Sequence, residues 1–188
     1  MTAGESTMIE AGRAMRPAEV RVWDPLVRIF HWSLVTGFAV AWLTGDEAKT
    51  VHIFAGYLVL GLIVFRILWG LVGTRHARFS DFVYRPATVI GFLKDMLGRR
   101  AKRYIGHNPA GGAMILALLA IVGAISATGV MMTTDAYWGV EWVEELHEGS
   151  VNLGLILIGL HVLGVIFASF DHGENLVRSM VTGRKRES

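Results

Sequence analysis

The chain has 188 residues, 53% of them apolar, with a mean hydropathy of +0.46 and a formal charge of +2. That is too apolar for an ordinary soluble domain, and the length allows one domain. There is no cysteine, which excludes disulfides, iron–sulfur clusters, zinc–thiolate sites and thioether-linked haem; no nucleic-acid partner is expected.

The first 25 residues are polar and charged, without the apolar run of a cleavable leader. Residues 1–21 read as a tail, and membrane insertion is expected to rest on internal segments. Four such segments follow. The first runs from about Leu26 to Thr44 and the second from about His52 to Val72. The third runs from about Pro109 to Thr133, and the fourth from about Ser150 to Phe170, with its helix taken back to residue 147. Each can cross roughly 30 Å at about 1.5 Å per residue, and each is apolar around its whole circumference, unlike a surface helix. Asn108-Pro109 marks the third start, as an N-cap followed by a proline at the first helical position.

Between segments two and three, Arg85 to Tyr104 is basic, with Val89, Ile90, Phe92, Leu93, Met96 and Leu97 at helical spacing. This predicts an amphipathic helix on the membrane surface. Between segments three and four, DAYWGVEWVEELHEG carries acids and tryptophans, which suits an interfacial helix. Residues 173–188 form a basic tail. The expected fold is therefore an all-α integral membrane protein, a four-helix bundle over residues 22–172.

Charge sets the expected topology. Both termini and the long middle loop share 17 Lys/Arg, whereas the opposite side has only Lys49. The positive-inside rule is expected to place both termini in the cytoplasm. Seven of the 16 acids lie outside, so the formal charge is +8 inside and −6 outside.

Four histidines fall within or at the edge of these segments: His31, His52, His147 and His161. Hydrocarbon excludes ionisable groups unless something needs them there. Following the chain in and out places His31 and His161 at an inner depth and His52 and His147 at an outer one. His147 and His161 are 14 residues apart, roughly 21 Å of helix and 40° short of four full turns. Both imidazoles then point to nearly one face. Two depths with two imidazoles each predict two stacked, non-covalent b haems, each held by two histidines. His52 and Arg66 repeat the 14-residue interval, which puts Arg66 at the inner depth, where a propionate would satisfy a buried guanidinium; Arg66 snorkelling to the interface is the alternative. His76, His107 and His172 fall in inner loops or helix ends, where solvated or capping roles are expected. Gly149, Gly154, Gly159 and Gly164 recur every five residues and make no single face.

These residues carry a family resemblance. VWDPLVRIFHW (Val22 to Trp32), Thr44-Gly45, RILWGLVGTRHARF (Arg66 to Phe79), YIGHNPAGG (Tyr104 to Gly112), Thr128-Gly129, ELHE (Glu145 to Glu148), the His161 segment and ENLVRSMVTGRKR (Glu174 to Arg186) resemble the bacterial cytochrome b561 family, which includes cytochrome b subunits of nickel–iron hydrogenases. The resemblance covers nearly the whole chain after residue 20. It implies that His31 and His161 bind an inner haem and His52 and His147 an outer one. It also implies electron transfer between an outer-face redox partner and the membrane quinone pool, ubiquinone or menaquinone. A cytochrome c, a dehydrogenase or a hydrogenase would serve as partner, beside membrane lipid; a homodimer is left open. Some hydrogenase-type members carry a fifth helix that this pattern lacks.

Quinone chemistry also needs protons, and Arg28, His107 and Asn108 are candidate groups on the inner side. Whether the chain is an enzyme in its own right is open. The alternative is a superoxide:quinone oxidoreductase, as some relatives are thought to be. Superoxide is an anion, and an outer face of −6 disfavours its approach unless Lys49 makes a local positive pocket. A non-redox scaffold is the third reading, and it expects all four histidines to tolerate alanine.

Overall fold

The computed structural model describes residues 19–98 and 100–187. Most of the expected N-terminal tail, Arg99 in the basic loop and Ser188 lie outside the described residues. Among the described residues, four helices are long and apolar enough to cross a membrane. The first, α1 (Pro25–Thr44), starts where Asp24 accepts a hydrogen bond from the Val27 amide at 2.9 Å and Pro25 occupies the first turn. The second, α2, spans Lys49–Val72. A 3₁₀ turn (Arg75–Ala77), a four-residue helix α3 (Phe79–Phe82) and the predicted surface helix α4 (Pro86–Leu97) follow. On α4, Phe92 is buried against the bundle while Ile90, Leu93 and Leu97 stay exposed, so the helix has an apolar face left for the membrane surface.

The third crossing, α5 (Pro109–Met131), begins as expected: Asn108 caps it by accepting from the Gly111 amide at 2.7 Å. The fourth, α6 (Glu141–Asp171), departs from expectation. The acidic, tryptophan-bearing segment is not a separate interfacial helix. Turns run to Gly139, and from Glu141 one unbroken helix of 31 residues carries both His147 and His161. Nothing between Glu141 and Ser150 breaks a helix except Gly149, at about 1 kcal/mol relative to alanine. Glu141 and Glu144 in its first turn favour the positive end of the helix dipole.

Helix α7 (Leu176–Thr182) ends at Gly183, whose φ of +80° suits glycine. The chain ends were expected as two separate tails. Instead β1 (Glu19–Arg21) pairs antiparallel with β2 (Arg184–Arg186), setting Val20 opposite Lys185. The Gly183 carbonyl accepts from the amides of Val22 and Trp23 at 2.9 and 3.2 Å, extending the clasp.

Packing runs α1 to α2 to α5 to α6, while α1 and α6 make little direct contact. Val59 and Ile63 of α2 and Val122 of α5 form the bundle centre, with Leu34, Leu119 and Ile121 around them. Small residues set the close approaches: a side chain at Gly37 would meet Val59, and one at Gly154 would meet Ile125. Gly149, Gly159 and Gly164 face open space, so the five-residue glycine interval has no common role.

Candidate functional site

The outer pair comes together. His52 lies in the first turn of α2 and His147 in the second turn of α6, with ring centroids 6.2 Å apart and planes at 78°. Each ring is fixed through Nδ1. His52 Nδ1 lies 2.8 Å from the carbonyl oxygen of Ala41. A carbonyl only accepts, so Nδ1 carries the proton and Nε2 keeps its lone pair. His147 Nδ1 lies 3.0 Å from the Thr128 hydroxyl. Two exposed imidazoles would not need this arrangement, whereas a metal-binding pair does, because the ligating nitrogen must be unprotonated. Metal–nitrogen bonds of about 2 Å put the ring centres of two imidazoles on one metal about 6 Å apart. The outer pair therefore fits a bis-histidine iron centre.

The two Thr-Gly pairs lie at these rings. A Cβ at Gly129 would sit 3.2 Å from Cε1 of His147, tighter than ordinary contact, and one at Gly45 would touch His52 at 3.7 Å. Gly129 leaves room for the ring.

His31 and His161 lie apart from that pair. His31 is in the second turn of α1, and His161 is two-thirds of the way along α6. His31 Nδ1 is buried with no hydrogen-bond partner among the described residues. Their helices barely touch, which leaves space for a flat macrocycle between them.

Arg66 does not snorkel: it is 3% exposed, buried in α2. Its guanidinium lies over the rings of Phe79 and Phe82, at 5.2 and 5.9 Å from their centroids. Nη1 has no hydrogen-bond partner among the described residues. A buried guanidinium with an unpaired donor calls for an anion, and a haem propionate has the matching chemistry.

The segments between α2 and α5 and after α6 hold a polar cluster whose burial sequence reasoning missed. His107 is not solvated. Its ring is wedged between Trp23 and Phe82, at centroid distances of 4.5 and 4.8 Å, and its Nδ1 is buried without a partner among the described residues. Burial pushes its pKa down to about 3, with Arg66 and Lys185 adding repulsion and Asp81 opposing them. His76 bonds Asp81 at 3.0 Å, and His172 caps the end of α6 as expected. Asp24 joins α1 to the end of α2 by accepting from Trp69 Nε1 at 3.2 Å and from the Thr74 hydroxyl. Burial opposes its ionisation, but the hydrogen bonds prevail and hold its pKa below the ordinary carboxylate value. Arg28 donates to the Thr182 carbonyl, and its Nε is buried without a partner among the described residues. Glu174 and Lys185, each 7% exposed, form a buried ion pair at 3.8 Å, with Arg103 also on Glu174 at 3.3 Å.

A family model described as prokaryotic cytochrome b561 matches residues 22–183. Among curated proteins, the chain is similar to the "probable Ni/Fe-hydrogenase B-type cytochrome subunit" of Bradyrhizobium diazoefficiens, 23% identical over 93% of this chain and 89% of that one. It is similar to the "probable Ni/Fe-hydrogenase 1 B-type cytochrome subunit" of Escherichia coli K12, 24% identical over 86% and 88%. The counterpart from Azotobacter vinelandii is 26% identical over 71% and 68%. No solved structure matches the chain significantly.

Proposed function

The chain belongs to the prokaryotic cytochrome b561 family, and from that premise we propose that it is a di-haem b-type cytochrome linking a periplasmic redox partner to membrane quinone. Membership makes it a multi-pass membrane protein that binds haem b. The finer reading assigns His52 and His147 to an outer haem, His31 and His161 to an inner one, and Arg66 to a propionate of the inner haem. When bound, the haems supply one-electron transfer between the partner and ubiquinone or menaquinone. The observation that carries this is the outer pair, two imidazoles 6.2 Å apart with both Nδ1 atoms engaged.

The chain's own residues do the rest. The helices position the four histidines, and ligation by two histidines would leave no open position on iron. The −6 outer face suits a basic patch on the partner, and the relatives' names make a nickel–iron hydrogenase the leading candidate. Arg28, His107 and Asn108 remain candidate groups near a quinone on the inner side, a site on the outer side being equally open, with both termini cytoplasmic. No observation favours the superoxide reading: Lys49 lies over the Trp138 ring, 5.7 Å from its centroid.

A pyridine haemochrome assay on the purified protein tests the assignment. Two b haems per chain are expected, falling to one in His52→Ala and one in His161→Ala. Haem-free protein, or full loading in both variants, would refute it.

A further inference from the structure

The Thr128 hydroxyl has one hydrogen, and the backbone claims it: Oγ1 lies 2.9 Å from the Ala124 carbonyl and 3.1 Å from that of Ile125. Only its lone pairs remain for His147, whose Nδ1 is 3.0 Å away. His147 is therefore the donor in that contact, and its Nε2 holds the free lone pair. Thr128 is itself buried, 5% exposed, which limits competition from water for the bond. The next residue completes the arrangement, because a Cβ at Gly129 would press on the same ring. One residue holds the imidazole while its neighbour makes room for it.

We propose that Thr128 is the positioning residue for His147: its hydroxyl oxygen accepts the Nδ1–H, fixes ring orientation and tautomer, and strengthens Nε2 as an iron donor. This rests on the reading of His52 and His147 as an axial pair. Across the site the Ala41 carbonyl does the same for His52 at 2.8 Å, so both outer ligands donate from Nδ1, whereas His31 Nδ1 has no partner among the described residues. A ligand whose outer N–H is engaged is more basic and favours the oxidised metal. Thr128 thus holds the outer centre at a lower potential than an unsupported imidazole would give, and unlike the Ala41 carbonyl it can be changed by substitution.

The test is a spectroscopic redox titration, with haem content, on Thr128→Val and Thr128→Ser. Valine is close to threonine in volume but accepts no hydrogen bond; serine restores the hydroxyl. A bond stronger in the oxidised than in the reduced state by about 0.5–1.5 kcal/mol, the size of one whole net hydrogen bond, corresponds to an equilibrium shift of about twofold to tenfold, tenfold being about 59 mV for one electron. The valine variant is expected to keep two haems, with only the outer one shifted to a higher potential by that factor, and the serine variant to titrate like wild type. Loss of one haem with valine but not with serine also supports the role. Full loading with neither potential shifted overturns it, as does an equal effect of serine and valine. A wild type holding fewer than two haems overturns the axial-pair reading as well, a result separable by haem content alone.

Discussion

Acidification should weaken the fold through His107 well before the carboxylates titrate. The ring sits between Trp23 and Phe82 and stays neutral down to about pH 3. In the unfolded chain it would titrate near the ordinary value of about 6.5. Above that pH both states are neutral and no stability is lost. Between about 6.5 and 3 the unfolded state alone takes the proton, so stability falls by about 1.36 kcal/mol per pH unit. At pH 5 the loss from this one residue is about 2 kcal/mol, or about 4–8 °C in Tm for a chain of this size. The assay is thermal unfolding in detergent from pH 7.5 to 5, comparing wild type with His107→Gln, whose amide does not titrate. The variant starts with a lower Tm, because it packs less well between the two rings, but its Tm should vary less over this range. Parallel profiles for the two proteins would refute the reasoning, since they would mean that His107 is protonated in the folded state or reaches water freely.

Two further outcomes follow from the packing. Gly129→Val should displace His147 and cost one haem, read by the haemochrome ratio, while the inner centre's spectrum persists. Glu174→Gln leaves Lys185 buried without its charge partner and should destabilise by about 3–5 kcal/mol; adding Lys185→Met should recover most of that loss in the same unfolding assay.

The boundaries of α1 and α5 were legible because their signals are local: Asp24-Pro25 and Asn108-Pro109 mark a start without reference to the rest of the chain. The start of α6 was not, because acids and tryptophans between Thr133 and Gly149 are as compatible with an interfacial helix as with the first turns of a long one. Continuity depended on the absence of a breaker. The four histidines stood out because charge-capable residues are rare in such segments, and in the fold the rings of His52 and His147 lie 6.2 Å apart. His107 was read as solvated because its burial is made by Trp23 and Phe82, which arrive from separate parts of the chain. The hydroxyl on His147 was equally hidden: Thr128 lies 19 residues away on another helix, and a threonine in an apolar segment ordinarily bonds its own backbone. The β1–β2 clasp joins three-residue strands from opposite ends of the chain, too short to show any alternation.

Helix α6 behaves as a ruler. One unbroken rod of 31 residues, about 46 Å long, carries both His147 and His161, so their separation changes only if the helix itself bends. The opposing histidines sit on two antiparallel helices joined by a four-residue turn, which can shift without stretching that interval. Thermal motion can tilt the rod or slide it, but both graduations move together. Substitutions that loosen packing elsewhere should therefore alter how firmly these two histidines meet their opposing partners far more than how far apart they stand.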